Sequence, residues 1–331
     1  AGVHFSTDIF VERLGLGPKA VHFHHPILKI RKTHNKQVPF LLPRLSYWTQ
    51  LLQIKPDIIV DSIYTSLTPR SYLNWLYSSL FGKERVLMDA GDAGQNQLVF
   101  PFERKVMRSA KKIFTYSPAG AARMTAKYGI TDPGKFFIHL KLLDNRRFHL
   151  EESRISPQFT IGYVGRFIRA KGFDRFLALA QSCPDPAIRF LAIGPNTENF
   201  TLPDKVEHSG YVDNSRLVEV YSSIDLLILP DMRKFNGYPT VVQEALMCGT
   251  EVATGNLERS FYPKETGVFF FDPDQPGELD AFLAQRAGLC MDEKRRLRKT
   301  LAAEYATAGN GEGFLAELNH LLDPLTHDTL D

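Results

Sequence analysis

Short runs of β-branched and aromatic residues alternate with longer helical patterns along most of this 331-residue chain, and no other feature restricts its fold as strongly. In the first half the runs are AVHF from residue 20, DIIVD from 57, RVLMD from 85, KIFTYS from 112 and FFIHL from 136; in the second half they are TIGYVG from 160, RFLAIG from 189, VEHSG from 206, DLLILP from 225 and EVATG from 251. Strands joined through helices pair in parallel, because a parallel neighbour needs a crossover connection. The sequence therefore predicts an α/β protein with two doubly wound parallel sheets.

Helical patterns fill the intervals between these runs. They predict helices at 71–81, 103–110, 173–181, 215–222, 240–248, 277–287, 292–306 and 313–322, the last of which we expect to pack back on the first domain. The opening stretch GVHFSTDIFVERLGLG is typical of a glycine loop and a helix with Ser6 as its N-cap. A doubly wound domain has a strand before such a helix, so we expect the first strand to precede this sequence.

The polar stretch HLEESRISPQ from residue 149 separates the two sets of runs and predicts two domains, 1–150 and 151–331. Their charges differ in sign. Residues 1–150 contain 22 Lys and Arg against 10 Asp and Glu, whereas residues 151–331 contain 18 against 27. This asymmetry indicates that the two domains have different partners.

The cysteines and the apolar runs restrict the compartment. Cys183, Cys248 and Cys290 are widely spaced and odd in number, which predicts neither a zinc site nor a disulfide framework and fits a reducing compartment. The apolar runs are far shorter than the roughly 20 residues of a membrane-spanning helix, and no secretory signal is visible. We expect a cytoplasmic protein with, at most, a peripheral membrane association.

The loop YVGRFIRAKGFDRF (163–176) brings Gly165, Arg166 and Lys171 to the carboxyl edge of the second sheet. Ligands of open α/β sheets bind at this edge. Glycine lets the backbone approach a ligand closely, arginine grips phosphate oxygens through two N–H groups, and lysine adds a point charge. The loop therefore predicts a phosphate site, with a solvated basic loop as the alternative.

The stretch NGYPTVVQEALMCG (236–249) predicts a buried helix with Pro239 as its first residue, followed by Thr240. The amides at its start would face the same sheet edge and attract phosphate. Glu244 lies one turn inside this apolar helix, where a carboxylate needs a partner. It either accepts hydrogen bonds from both hydroxyls of a nucleotide ribose or pairs with a nearby arginine or lysine.

These segments carry a family resemblance. GRFIRAKG, VEHSGYV, LVEVYSSIDLLILPD and NGYPTVVQEALMCGT resemble, in this order, motifs of the retaining, family-four-like glycosyltransferases of GT-B fold (glycosyl transferases group 1). The resemblance covers about residues 160–275 well and extends loosely to KPDIIV, AKKIFTYSPA and LLDNRRF in the first half. It implies two Rossmann-like domains facing across a cleft, the first binding an acceptor and the second a nucleotide-sugar donor. It also implies sugar transfer to an acceptor hydroxyl with retention of the anomeric configuration.

The resemblance also implies roles for individual residues. Arg166 and Lys171 would bind the donor diphosphate and stabilise charge on the leaving group, while Glu244 would hold the ribose. The other donor-binding candidates are Gly165, Tyr211 or Val212 beside the base, Gly237 and Tyr238 beside the sugar and phosphates, and Pro239 and Thr240 at the helix start. No metal and no cofactor other than the nucleotide sugar as co-substrate is expected, since fixed positive groups replace the metal.

Position 236 departs from the family pattern. The family usually has an acid there, eight residues before Glu244, that contacts hydroxyls of the donor sugar, whereas this chain has Asn236. Asparagine donates and accepts hydrogen bonds but carries no charge. This departure predicts an unusual donor sugar or a slow enzyme and leaves the nucleotide half of the site unaffected.

The first domain is expected to bind the acceptor. In its loop DAGDAG (89–94), Asp89 or Asp92 would position the acceptor hydroxyl, the alternative being a glycine-rich turn with two capping acids. The basic charge and the helical stretch YLNWLYSSLF, followed by Lys83 and Arg85, favour an anionic or lipid-linked acceptor and contact with an anionic membrane. The alternative is that this aromatic helix belongs to the core.

Two other functions stay open at this stage. One is a catalytically weak nucleotide-sugar-binding or regulatory protein, suggested by Asn236, and the other is a GT-B epimerase of nucleotide sugars, for which the chain offers no assignable acid–base set. Binding to nucleic acid is not expected, because no recognition helix or aromatic-interleaved basic motif accompanies the positive charge.

Overall fold

The computed structural model describes residues 46–56, 58–63, 67, 69–89, 102–139, 143, 145–230, 239–255, 267–272 and 277–309, together with 316, 317 and 320. The chain divides into two compact units, Ala1–His139 with Gly311–Asp331, and Leu140–Asn310. The opening helix and the run from residue 20 lie outside the described residues. In the predicted helix at 313–322, Glu317 forms an ion pair with Lys112 of the first unit.

The first unit contains a parallel sheet flanked by helices. Its elements are α1 (Ser46–Ile54), β1 (Ile58–Ile63), α2 (Pro69–Phe81), β2 (Glu84–Asp89), α3 (Glu103–Arg108), β3 (Lys112–Thr115), α4 (Pro118–Tyr128) and β4 (Phe136–Ile138). The strand order is β1-β2-β3-β4, and every pairing is parallel. Leu87, Val106, Ile113 and Met124 lie in its main core cluster.

The second unit contains a six-stranded parallel sheet. Its elements are β5 (Thr160–Val164), α5 (Phe173–Ser182), β6 (Arg189–Ile193), β7 (Val206–His208), α6 (Leu217–Ser223), β8 (Leu226–Leu229), α7 (Thr240–Met247), β9 (Glu251–Thr254), β10 (Val268–Phe270), α8 (Gly277–Ala287) and α9 (Met291–Gly309). The strand order is β10-β9-β8-β5-β6-β7, again parallel throughout. The α/β class predicted from the alternating pattern is confirmed.

The order of these strands places a switch point between β5 and β8. After β5 the chain moves outward through β6 and β7, then returns to the other side of β5 with β8, β9 and β10. Ile161 pairs with Leu226 and Gly162 with Leu227, so the carboxyl ends of both strands meet at one edge. In open α/β sheets, ligands bind in the crevice at such a switch point.

Several elements differ from the sequence-based prediction. The predicted helix at 215–222 is a 3₁₀ turn, Asn214–Arg216, followed by α6. Helix α4 was not predicted, although Ser117 accepts a hydrogen bond from the Gly120 amide and Pro118 is the first helical residue, which is a recognisable helix start. Strand β10 was also missed, because its three residues are too short to show a period.

Candidate functional site

The loop that leaves β5 at the switch point has a fixed shape. Gly165 has φ +150°, and its amide donates to Ile193 O at 2.9 Å. Phe167 and Phe173, both fully buried, stack with their ring centroids 3.9 Å apart and hold the two ends of the loop together. Lys171, which lies between these two rings in the sequence, is therefore carried on an anchored segment.

The two predicted phosphate ligands lie at different depths in this loop. Arg166 is exposed. Lys171 ends a 3₁₀ turn, Arg169–Lys171, and is partly buried. Its ammonium lies 3.8 Å from the position a β-carbon would take on Gly165, so the structure brings these two predicted residues together.

Glycine at position 172 is required where the loops after β5 and β8 meet. Gly172 has φ +71°, and an added β-carbon would lie 2.1 Å from the carbonyl oxygen of Pro230, the residue that follows β8. Any side chain there would collide with backbone. The close approach joins the loop with Arg166 and Lys171 to the segment leading toward α7.

The loop after β6 supports the loop after β5, and sequence reasoning did not anticipate it. Glu198 accepts a hydrogen bond from the Arg169 amide at 3.0 Å, and the Thr197 hydroxyl donates to Phe167 O at 3.2 Å. Gly194, with φ +138°, passes so close to Gly165 O that an added β-carbon would lie 1.9 Å from it. The Gly194–Pro195 signal at the end of β6 was the available hint of a tight turn.

The candidate base-binding residues follow β7. Tyr211 is 74% exposed, so its ring is open to stacking, whereas Val212 packs against a cluster that includes Ile193 and Ile224. Gly210 just before them has φ +66°, and its carbonyl accepts from the Gly194 amide at 2.8 Å. The turn is thus tied to the loop that supports the β5 loop.

Helix α7 confirms the predicted apolar helix but changes two details. Val242 and Ala245 are fully buried, while Glu244 is only partly buried and the neighbouring Gln243 takes the buried polar position. The first helical residue is Thr240, and Pro239 is the N-cap, which as a proline offers no side-chain acceptor.

Glu244 has a defined partner. The hydroxyl of Tyr221, on α6, donates to Glu244 Oε2 at 2.8 Å. Burial of Tyr221, together with the nearby Glu244 carboxylate, raises the pKa of the phenol well above its usual value. Tyr221 is therefore the donor in this hydrogen bond at every physiological pH.

Four predicted site residues, Asp92, Asn236, Gly237 and Tyr238, lie outside the described residues, so their roles stay predictions.

The comparisons with known proteins agree with this geometry. Residues 145–282 match the family model described as Glycosyl transferases group 1, which confirms the resemblance over that segment. Among curated protein sequences, none matches this chain significantly.

Solved structures are similar over most of both units. Sucrose-phosphate synthase from Thermosynechococcus elongatus has a TM-score of 0.63 at 18% identity, covering 85% of this chain and 76% of its own. Anabaena HepE in complex with UDP and glucose has 0.62 at 15%, covering 84% and 81%. A glycosyltransferase from Rickettsia africae has 0.64 at 13%, covering 90% and 84%. The chain has the GT-B glycosyltransferase fold.

In the first unit of this GT-B chain, the candidate acid Asp89 lies at the carboxyl end of β2, where a ligand-facing residue is expected. Its side chain is buried, and Oδ2 accepts a hydrogen bond from the Thr115 hydroxyl at 2.8 Å. This buried hydrogen bond is typical of a carboxylate that stabilises the fold. A role toward the acceptor stays a prediction.

One prediction about the first unit is wrong in part. Arg85 was expected beside Lys83 as a surface cation, but it is 2% exposed and bonds Val106 O and the Ser109 hydroxyl inside the unit. Arg85 therefore forms hydrogen bonds inside the unit and is not available to contact a membrane.

None of the helices described is long and apolar enough to cross a membrane. Among the described residues, no group of three or more His, Cys, Asp or Glu side chains is arranged to hold a metal ion.

Proposed function

We propose that this protein transfers a sugar from a nucleoside-diphosphate donor to an acceptor hydroxyl, with retention of the anomeric configuration and without a metal. The observation that supports this most strongly is the switch point between β5 and β8. From it leave the loop with Arg166 and Lys171 and the segment leading to α7, with Gly172 against Pro230 O. The match of residues 145–282 to glycosyl transferases group 1 falls on the same segment.

In this proposal, the second unit binds the donor. Arg166 and Lys171 neutralise the diphosphate and stabilise the charge that grows as its bond to the sugar breaks. Glu244 accepts hydrogen bonds from the ribose hydroxyls, and Tyr211 stacks on the base. A fixed ammonium in a rigid loop needs no reorganisation during the reaction, so it takes the place of a metal ion.

In this proposal, the first unit binds an acceptor of negative charge, because residues 1–139 contain 19 Lys and Arg against 9 Asp and Glu. The 5 acidic residues of 311–331, which belong to the same unit, reduce this excess but do not cancel it. A lipid-linked phosphate or an anionic saccharide has the required chemistry. Salt should weaken the binding of such an acceptor more than the binding of the donor, because it screens attraction between exposed charges.

Asn236 favours a second candidate, a nucleotide-sugar-binding protein with weak catalysis. An amide at this position hydrogen-bonds a sugar hydroxyl about half as strongly as a carboxylate does. Donor binding without turnover would support this candidate over the first.

A two-stage experiment tests the proposal. Thermal unfolding is first measured with UDP-, GDP- and ADP-sugars; a ligand at about 100 times its Kd stabilises the native state by about 2.7 kcal/mol, which raises Tm by several degrees. The ligand that binds is then incubated with the enzyme, and the anomer of the released or transferred sugar is followed by NMR. We expect the anomer of the donor to appear first.

The matched control is the Arg166→Ala, Lys171→Ala double variant, which should be stabilised less at the same ligand concentration and should turn over the donor far more slowly. If the wild-type protein is stabilised by none of the nucleotide sugars or free nucleoside diphosphates, the proposed function is wrong.

A further inference from the structure

Tyr221 is a buried tyrosine whose hydroxyl meets the candidate ribose-binding acid. It is 1% exposed, and its hydroxyl donates to Glu244 Oε2 at 2.8 Å. The two residues lie on α6 and α7, which precede and follow β8 in the chain and contact each other. Tyr221 is the tyrosine of LVEVYSSIDLLILPD, one of the segments that carry the family resemblance, but the sequence assigns it no role.

The backbone of Tyr221 is fixed from below by buried donors. Its carbonyl accepts from the Thr250 hydroxyl at 2.5 Å and from Arg298 Nη2 at 3.2 Å. Arg298, 2% exposed, is itself held by Gly249 O at 2.9 Å and by Asp225 at 3.4 Å. These hydrogen bonds hold the backbone from which the Tyr221 side chain extends toward α7.

The ring of Tyr221 is fixed from the side by Phe148, whose centroid lies 6.4 Å away. Tyrosine has only two side-chain torsions, so a ring packed in this way directs its hydroxyl along one line. Glu244 is partly exposed and has a longer, more flexible side chain. The rigid partner of this pair therefore orients the flexible one.

The hydrogen bond is compatible with ligand binding. A carboxylate offers about four lone-pair sites on its two oxygens, and the bond from Tyr221 occupies one site on Oε2. The raised pKa of Tyr221 keeps the phenol protonated, so it remains a hydrogen-bond donor to Glu244.

We propose that Tyr221 is the positioning residue of the donor site: it holds the Glu244 carboxylate in the orientation that accepts the ribose hydroxyls. This inference rests on the proposed function. It assigns Tyr221 no contact with the nucleotide.

The test uses the Tyr221→Phe variant, which removes one hydroxyl and keeps the ring. Calorimetry measures Kd for the nucleoside diphosphate that the wild type binds most tightly and for its 2′-deoxy and 3′-deoxy forms. We expect the variant to bind the parent nucleotide roughly five- to twentyfold more weakly, near the lower end of what a hydrogen bond to a charged group contributes, because the lost bond acts on binding only through Glu244. We expect each deoxy nucleotide to lose less, because one of the two hydroxyls that Glu244 would accept from is absent. In the Glu244→Ala background, Tyr221→Phe should change no affinity.

Tyr305→Phe is the matched control. Tyr305 is a buried tyrosine on α9 of the same unit, 6% exposed, and its variant should bind all three nucleotides as the wild type does. An equal loss for the parent and deoxy forms in Tyr221→Phe would mean that the tyrosine acts only on the fold, and would overturn the inference. An unchanged Kd for the parent nucleotide would overturn it as well.

Two further outcomes separate the inference from the proposed function. If Glu244→Ala weakens nucleotide binding and Tyr221→Phe does not, the inference alone is wrong. If the wild type binds no nucleoside diphosphate, the proposed function is wrong and the inference with it.

Should Tyr221→Phe fail to fold, the Thr250→Val variant, which loosens the Tyr221 backbone, replaces it. This variant should show the same dependence of affinity on the ribose hydroxyls, with a smaller loss. An equal loss for all nucleotides would contradict the inference.

Discussion

The ammonium of Lys171 lies close to Gly165 at the end of β5, on a loop whose two ends are joined by the stacked rings of Phe167 and Phe173. A cation held in this way is preorganised for charge that develops on a leaving diphosphate. The cation should therefore contribute more to turnover than to donor affinity, because it interacts most strongly with the charge that forms in the transition state.

Lys171→Ala should lower turnover by about 10² to 10³, the typical cost of one preorganised group, with a smaller effect on Kd for the free nucleoside diphosphate. Initial rates of sugar transfer or donor hydrolysis, set beside calorimetric Kd values, measure the two effects. Arg169→Ala is the matched control, because Arg169 is an exposed cation of the same loop whose backbone amide, not its side chain, is bonded to Glu198. Equal turnover in wild type and Lys171→Ala would remove the phosphate assignment.

Asn236 is the residue at which this chain departs from the pattern of the glycosyltransferases that it resembles, and its effect should be confined to the sugar. An amide tolerates an acidic group on the donor that a carboxylate would repel. Asn236→Glu should therefore shift donor preference from uronic or otherwise modified sugars toward neutral hexoses. Affinity for the free nucleoside diphosphate should stay within a factor of about two, since the change lies before α7. Transfer rates with a panel of donor sugars test the shift in preference, and one Kd for the free nucleoside diphosphate tests the unchanged affinity. Loss of nucleotide binding in a folded variant would contradict the assignment of Asn236 to the sugar.

At the scale of elements, helix α9 is bound to the amino edge of the second sheet by buried charges. Asp225, just before β8, contacts Lys294 at 3.1 Å and Arg298 at 3.4 Å, and accepts from the Thr160 amide at 2.8 Å. All three charged side chains are less than a tenth exposed. This edge lies opposite the candidate site, so the network serves the fold that carries the site.

Asp225→Ala should destabilise the second unit by about 3–5 kcal/mol, because it leaves two buried cations without their counter-charge. The midpoint of its urea unfolding transition is the measurement. The Arg189–Glu207 pair is a suitable comparison, with both side chains about a third exposed or more. Glu207→Ala should cost less than about 1 kcal/mol. Similar losses in both variants would show that the Asp225 network contributes no more than a surface pair.

Local patterns were sufficient to predict most of these elements, whereas contacts between side chains distant in the sequence could not be predicted from them. The runs at TIGYVG and DLLILP became β5 and β8, because a buried parallel strand is a continuous apolar run bounded by turn residues. The bond between Tyr221 and Glu244, and the ion pair between Asp225 and Lys294, join residues 23 and 69 positions apart. No period or spacing in a single sequence encodes which side chains meet across such distances. The support that Glu198 gives to the Arg169 amide was missed for the same reason.

At the scale of the whole molecule, most of the positive charge of the first 150 residues and an exposed apolar patch occur in the same unit. Helix α2 turns Tyr77 into the core and leaves Leu76, Leu80 and Phe81 at 40%, 63% and 48% exposure. The prediction of an aromatic surface helix is therefore only partly right, since its largest buried ring serves the fold. We define Leu76, Leu80 and Phe81 as the α2 patch.

The α2 patch and the basic charge together predict binding to an anionic bilayer. Basic residues near an anionic leaflet contribute about 1 kcal/mol each and are screened by salt, while the apolar side chains add their own transfer free energy. We expect the protein to co-sediment with vesicles containing phosphatidylserine and not with neutral phosphatidylcholine vesicles, and to be released at high salt. Leu80→Ser with Phe81→Ser should reduce binding severalfold, whereas Phe102→Ser, which removes another exposed phenylalanine of this unit (69% exposed), should not. Equal sedimentation with both kinds of vesicle, or an undiminished interaction in the α2 variant, would mean that the positive charge recognises a soluble acceptor instead.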